Sequence, residues 1–493
     1  MPNPPPANDR HQEVGDAWIT SVQLPAGERA QKRFLRQLQT ALGNTRTLAC
    51  LTPGPSSQVF VIPQAAEQQA RQAGALASDA AWDEQLRQWG ARSVTRLSRN
   101  LLFAMTQRGS VGAATPQAAA KLSNTGQAPR AHTLHAASAL APLFRGPFDW
   151  HLDERGANVV NAWELFAADP QFQGALPWAD IRVGHIDTGY TEHSALAWSG
   201  GHSSTVKVSD GYDFWDGPHH PDPRDEWLPG FPGHGTRTSC TIAGFLVDGV
   251  EPPFYGAAPG AAIVPYRVTD SVIIDHVKDK VGAAIRQAVD GGCGVINISL
   301  GALFGSQHLS NALDYAYERG VIVACAAGNV WGEVIYPGRY NRCITMGGVG
   351  PGMRPWSGSA RGQYVDLCAP SDVIRRVRAQ PLPPGTAATG IEPKMDGDGT
   401  SYGTALCSGV AALWLAYHGV PNLHSRYAAV GLWQIPRVFK HLLRQTAVRP
   451  ATWDTTEYGS GVINAAALLA APLPPDGALP PVQPAAGVYD PND

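Results

Sequence analysis

Short apolar runs and helical stripes alternate through the middle of the chain. Ile181 to Ile186 is a brief, partly apolar run stopped by Asp187-Thr188-Gly189, and Ala262 to Val268 is a second candidate strand. Asp275 to Asp290 places Val277, Val281, Ile285 and Val289 on one helical face ahead of Gly291, after which Val295 to Leu300 reads as a buried strand. His308 to Arg319 repeats the stripe with Leu309, Ala312, Leu313 and Ala316, and Val321 to Ala327 returns as strand. This alternation predicts an α/β unit with a mostly parallel sheet and helices on both faces. Ligands of such sheets bind beyond the carboxyl ends of the strands, which draws attention to Asp187, Ser299 and Asn329.

The flanks read differently. Strands at Trp18 to Leu24, Gln58 to Ile62 and Ser93 to Met105, with helices at Glu28 to Leu42 and Asp83 to Trp89, predict a small α+β domain over residues 1–110. Residues 111–146 have the Ala, Gly, Thr, Ser and Gln composition of a linker, and 147–470 hold the α/β unit. Residues 471–493, dominated by Pro and Ala without an apolar pattern, predict an extended tail.

Composition narrows the function classes. Across 493 residues, 38 Lys and Arg stand against 41 Asp and Glu, so bulk charge gives no support to a nucleic-acid or membrane-surface partner. No apolar run reaches the roughly 18 to 20 residues needed to span a bilayer. The first residues lack a basic n-region and an apolar h-region, so the cytoplasm is the default expectation, with export by another route left open. Seven cysteines, odd in number and without CxxC spacing, predict reduced core thiols rather than disulfides or zinc.

Gly399-Thr-Ser-Tyr-Gly403 precedes an apolar helix predicted at Thr404 to Tyr417, so Ser401 lies where a helix N-terminus presents free N–H groups. A serine hydroxyl is a weak nucleophile that needs a base, and the base needs an anion to fix its tautomer. His234, in Gly233-His-Gly-Thr236, and Asp187 are the candidates. Singly, these motifs read as a helix cap, a turn and a loop; together, in the order Asp, His, Ser, with Asn329 after a strand of the same sheet, they point to nucleophilic catalysis. Gly-x-Ser-x-Gly also fits the nucleophile elbow of α/β-hydrolases, but that fold places an acid and then a His after the Ser. Here the first acid after Ser401 is Asp454 and the last His is His441, so the order fails.

At these residues the chain resembles the subtilisin-like serine peptidases. The matching blocks are His185-Ile-Asp187-Thr-Gly, Gly233-His-Gly-Thr, Ala257-Ala-Pro-Gly260, Val295-Ile-Asn-Ile-Ser299-Leu-Gly301, Ala326-Ala-Gly-Asn329, Tyr336-Pro-Gly338, Gly399-Thr-Ser401 and Tyr458-Gly-Ser-Gly-Val-Ile-Asn464, spanning about Trp150 to Leu469. The resemblance implies Ser401 as nucleophile, His234 as general base and acid, Asp187 as orienting carboxylate, and Asn329 as an oxyanion donor beside the Ser401 N–H. It implies a polypeptide substrate adding as an extended strand along Ser299-Leu300-Gly301. Ile335, where relatives often carry Gly, implies a shortened P1 pocket, with Glu333 nearby at its rim. The small N-terminal domain is expected to pack on the catalytic domain as a propeptide does. No cofactor is expected; structural calcium is common in relatives, but no site can be traced in this sequence. Arg237-Thr238-Ser239-Cys240 stands where the family usually has His-Val-Ala-Gly, and Tyr402 and Ala405 depart from the usual residues after the nucleophile. A catalytically inactive, peptide-binding pseudopeptidase is the alternative reading.

Overall fold

The structure, a computed structural model, describes residues 18–23, 37, 59–63, 79–88 and 93–98 of the N-terminal part. From 144 to 487 it describes all but residues 145, 173–175, 200, 218–219, 228–230, 247–248, 276, 330–331, 384 and 393–396. The chain divides into two compact units, Met1–Arg108 and Gly109–Asp493.

In the first unit, β1 (Trp18–Gln23) lies between β2 (Val59–Pro63) and β3 (Ser93–Ser98), antiparallel to both, and α1 (Asp79–Gln88) packs beside β3. The helix predicted at Glu28 to Leu42 lies outside the described residues except for Gln37, which is helical.

The second unit is built on an eight-stranded sheet. Its elements in chain order are α2 (Val159–Ala168), β4 (Arg182–Asp187), β5 (Tyr212–Asp213), α3 (His234–Ala243), β6 (Ala262–Arg267), α4 (Lys278–Asp290), β7 (Val295–Ile298), α5 (Gln307–Glu318), β8 (Ile322–Ala326), β9 (Ile344–Gly350), β10 (Arg354–Pro355), β11 (Leu367–Pro370), α6 (Thr400–His418) and α7 (Gln434–Gln445). The strand order is β10-β9-β8-β7-β4-β6-β5, with β11 also on β9; only the β9–β10 pair is antiparallel. From β4 the chain steps to β6 on one side and then crosses back to β7 on the other. The sheet therefore has its topological switch at β4, the place where such folds leave a crevice beyond the strand ends. Asp187 ends β4, and Ser299 follows β7 directly.

Helices cover both faces, as the alternation predicts. Val183 belongs to the same buried cluster as Val410, Leu413 and Trp414 of α6 and Trp163 of α2, while Ile186 belongs to a second cluster with Val281 and Ile285 of α4 and Leu309 and Leu313 of α5. The period of two along β4 sends its odd residues to the α6 face. Helix α6 is buried continuously from Thr400 to Leu415, which its near-uniform apolar character explains. Replacing Trp414 by Ala there costs about 3–5 kcal/mol.

Helix α4 begins at Lys278 rather than Asp275 and β7 ends at Ile298 rather than Leu300, and three further differences bear on the site and the core. Helix α6 starts at Thr400 rather than Thr404, because Gly399 at φ 142° ends the loop and Gly403 sits inside the helix. Ser401 is thus in the first turn. Phe144, counted with the linker, belongs to the core: it is buried and stacks on Trp163 with ring centroids 4.5 Å apart. The Pro/Ala-rich tail is extended but docked, with Val482 and Ala485 buried, Val482 N bonded to Tyr317 Oη and Ala485 N to Asp314 Oδ1. The six described cysteines are free and buried.

Candidate active site

Asp187, His234 and Ser401 come from three elements that pack on one another. Strand β4 delivers Asp187 on the α6 face; α3, packed against β4 and α6, opens with His234; α6 opens with Ser401. Asp187 is fully buried, and His234 and Ser401 are each 7% exposed.

His234 Nδ1 is 2.7 Å from Asp187 Oδ1. An ionised carboxylate can only accept, so Nδ1 carries the proton and Nε2 is left to act as base. Asp187 Oδ1 also accepts from Thr188 N at 2.8 Å. Burial alone pushes the Asp187 carboxyl up, but the charge and hydrogen bond of His234, with His185 and the Thr188 N–H, outweigh it and hold the group below the usual carboxylate range.

Two residues that motif spacing did not single out hold the His234 turn. Asp225 Oδ2 accepts from Gly233 N at 2.8 Å and Thr188 Oγ1 at 2.9 Å, and Thr188 Oγ1 accepts from Gly235 N at 3.1 Å. Gly235 has no room for a side chain: an added Cβ would lie 2.0 Å from the Gly189 carbonyl oxygen. Thr188 sits inside a matched block, but Asp225 lies in an irregular loop and carried no sequence signal.

The Ser401 hydroxyl donates to the Ser299 carbonyl at 3.1 Å, and among the described residues it makes no hydrogen bond to His234. Asn329 Oδ1 accepts from Thr400 N and Thr400 Oγ1, both at 2.9 Å. Because a backbone N–H must face an acceptor, this pair fixes the amide flip and leaves Nδ2 directed away from Thr400. A Cβ placed on Gly399 would sit 3.6 Å from Asn329 Nδ2 and 3.8 Å from Ser401 N. The missing side chain therefore leaves a small cradle faced by two N–H donors, suited to a developing oxyanion.

The edge at Ser299-Leu300-Gly301 is less open than the sequence suggests. Gly301 N donates to Val272 O and Gly301 O accepts from Ile274 N, both at 2.9 Å. Asp275 clamps this segment by accepting from Leu303 N at 2.8 Å and Phe304 N at 3.2 Å. Ile335 reaches into the space between Gly301 and Gly328: an added Cβ would lie 1.9 Å from Ile335 Cδ1 at Gly301 and 2.9 Å from its Cγ1 at Gly328. Glu333 pairs with Arg339 at 2.7 Å and stays mostly exposed.

No group of three or more potential metal ligands occurs among the described residues, and no described helix is long and apolar enough to cross a membrane. Asp222 accepts from Tyr190 Oη at 2.9 Å.

A carboxylate-bound imidazole and a serine in the first turn of α6 stand at the strand ends of a largely parallel sheet, and comparison with known proteins supplies the class. The chain belongs to the subtilase family, whose model matches residues 179–464. It is 28% identical to subtilisin DY of Bacillus licheniformis over 307 residues, covering 61% of this chain and 94% of that one. It is 29% identical to subtilisin Savinase of Lederbergia lenta over 293 residues, covering 59% and 91%. Thermitase of Thermoactinomyces vulgaris is 30% identical over 246 residues, covering 50% and 78%.

Proposed function

We propose that this chain is a serine endopeptidase that cleaves polypeptides through Asp187, His234 and Ser401. The observation that carries the reading is the buried 2.7 Å bond between His234 Nδ1 and Asp187 Oδ1, which orients the imidazole as a base. In the proposed cycle Ser401 Oγ leaves the Ser299 carbonyl, gives its proton to His234 Nε2 and attacks the scissile carbonyl. Oxyanion charge falls to Asn329 Nδ2 and Ser401 N, and His234 then protonates the leaving amine. Water repeats the sequence on the acyl-enzyme, with the proton passing again through His234.

The Ile335 side chain between Gly301 and Gly328 supports a shallow P1 site that takes small or medium apolar residues. The Arg339 partner of Glu333 weakens the case for a basic P1 residue. The peptide strand is proposed to run along Ser299-Leu300-Gly301, which requires residues 272–274 to give way at Gly301. The N-terminal unit is proposed to act as a propeptide-like partner; mass spectrometry of the full chain should find a cut between the units that is absent in Ser401→Ala.

A peptide-binding pseudopeptidase is the second reading, and one observation favours it: the Ser401 hydroxyl is bonded to Ser299 rather than His234. Assaying casein or a peptide library separates the two. Ser401→Ala and His234→Ala should each abolish cleavage seen in the parent; full activity in Ser401→Ala would refute the triad.

A further inference from the structure

We propose that His185 and Thr238 form a polar bracket behind Asp187, as positioning residues that fix its second carboxylate oxygen and set the acid limb of activity. The inference rests on the peptidase reading above.

Residues 185 and 187 share a face of β4, and Thr238 lies one helical turn beyond His234 on α3, so four side chains meet at one point. His185 Nε2 is 3.0 Å from Thr238 Oγ1. Thr238 Oγ1 is 3.4 Å from Asp187 Oδ2, and His185 Nε2 is 3.9 Å from the same oxygen. Both His185 and Thr238 are buried. Oδ1 already serves His234 Nδ1 and Thr188 N, whereas among the described residues Thr238 is the only hydrogen-bond donor to Oδ2.

Proton counting assigns the roles. Thr238 Oγ1 has one proton and faces the His234 carbonyl at 3.0 Å, the Gly235 carbonyl at 3.2 Å and Asp187 Oδ2. All three are acceptors, so His185 is the one neighbour able to donate to the hydroxyl. On the Nε2–H tautomer of His185, which the proposal takes, the hydroxyl accepts from the ring and its own proton is free for the charged Asp187 Oδ2. Burial lowers His185 to about 4, so the ring stays a neutral donor near neutral pH. Thr238 stands where the family usually carries Val, which offers no hydrogen to the acid.

Other charged groups face this point from each neighbouring element and stay constant across the variants. From β6, Arg267 lies opposite Asp187 and is held by Asp213, Asp216 and Glu226. Asp225 reaches Asp187 only through Thr188, and Arg237 of α3 turns its guanidinium to the Pro232 carbonyl. From β7 the facing residue is uncharged Asn297.

Removing the donor leaves more negative charge on Oδ1, which grips the protonated imidazole more tightly. The midpoint of the acid limb of kcat/KM should therefore rise by about 0.5–1 pH unit in Thr238→Val and in His185→Val, and the double variant should add little. Thr238→Ser and His185→Gln keep a donor and should return the midpoint to that of the parent. Uniformly lower kcat/KM with an unmoved midpoint in every Val variant would overturn the proposal. If a Val variant fails to fold, Thr238→Ala serves with the same expectation. The low-field proton of the His234–Asp187 bond, read by NMR in the full chain carrying Ser401→Ala, needs no turnover. It should move downfield with Thr238→Val and hold with Thr238→Ser; an unchanged signal in Thr238→Val overturns the bracket. Absence of Ser401-dependent cleavage in the parent defeats the peptidase reading instead.

Discussion

Ser401 and Ser299 are hydrogen-bonded reciprocally: Ser401 Oγ donates to the Ser299 carbonyl at 3.1 Å, and Ser299 Oγ donates to the Ser401 carbonyl at 3.0 Å. The pair ties the first turn of α6 to the end of β7. Ser299 Oγ is also approached by Asn297 Nδ2, whose oxygen accepts from Ser408 on α6, so one buried chain of polar groups locks nucleophile helix to strand. Such a chain fixes the main chain at the start of α6, beside Asn329 and Gly399.

Thr400 holds Asn329 through its Oδ1, and in the proposed cycle the free Nδ2 serves the oxyanion rather than the ground state. Asn329→Ala should lower kcat by about 10²–10³ with little change in KM, a magnitude known for such a donor in subtilisin. Steady-state kinetics on one peptide check it; a large KM change with intact kcat would assign Asn329 to substrate binding.

The side chain of Ile335 fills the wall between Gly301 and Gly328. Ile335→Gly should deepen the pocket and raise kcat/KM for Phe or Tyr at P1, relative to Ala, by roughly 10-fold or more, since misfit volume costs about 1–3 kcal/mol. Library profiling of parent and variant decides it; a parent that already prefers Phe or Tyr contradicts the shallow site.

Residues 272–274 occupy the backbone groups of Gly301, and Asp275 clamps them. Asp275→Ala removes two hydrogen bonds from that clamp and should raise kcat/KM for peptides extending to P4 by about 3- to 10-fold, without a matching gain for substrates that end at P1. Equal effects on long and short substrates would show that the segment does not gate the edge.

Acid should destabilise the catalytic unit. Burial lowers His151 to about 3 and His185 and His193 to about 4, so the unfolded chain takes up protons below about 6.5 that the folded one refuses. Stability is then lost as pH falls from 6.5 toward 4, at about 1.4 kcal/mol per pH unit for each such group. Asp149, raised to about 6 mainly by burial, acts with the opposite sign between 3.8 and 6 and offsets one histidine. Melting of Ser401→Ala, chosen to prevent self-cleavage, should show Tm falling steadily from pH 7 to 4; a rising Tm would contradict the assignment.

Much of this was legible in the sequence because strand ends are local. Asp187 and Asn329 come at the ends of apolar runs whose period says which side of the sheet they enter, and Ser401 stands at the start of an apolar helix. The clamp at Gly301 was not legible, since Val272 and Ile274 meet it through a contact that no periodicity records. Asp225 was hidden in a loop whose Gly, Pro and Asp content signals turns and nothing further. The docking of Val482 and Ala485 was missed for a related reason: extended Pro-rich chain buries isolated side chains without making a stripe.

Ser401 is proposed to be a nucleophile activated by His234. Treating the purified full chain with a fluorophosphonate and locating the adduct by mass spectrometry tests it most directly. Labelling should fall on Ser401, disappear in Ser401→Ala and drop sharply in His234→Ala, because members of such a triad act as a unit. A folded parent that takes up no label, or one whose labelling survives Ser401→Ala unchanged, would contradict the account.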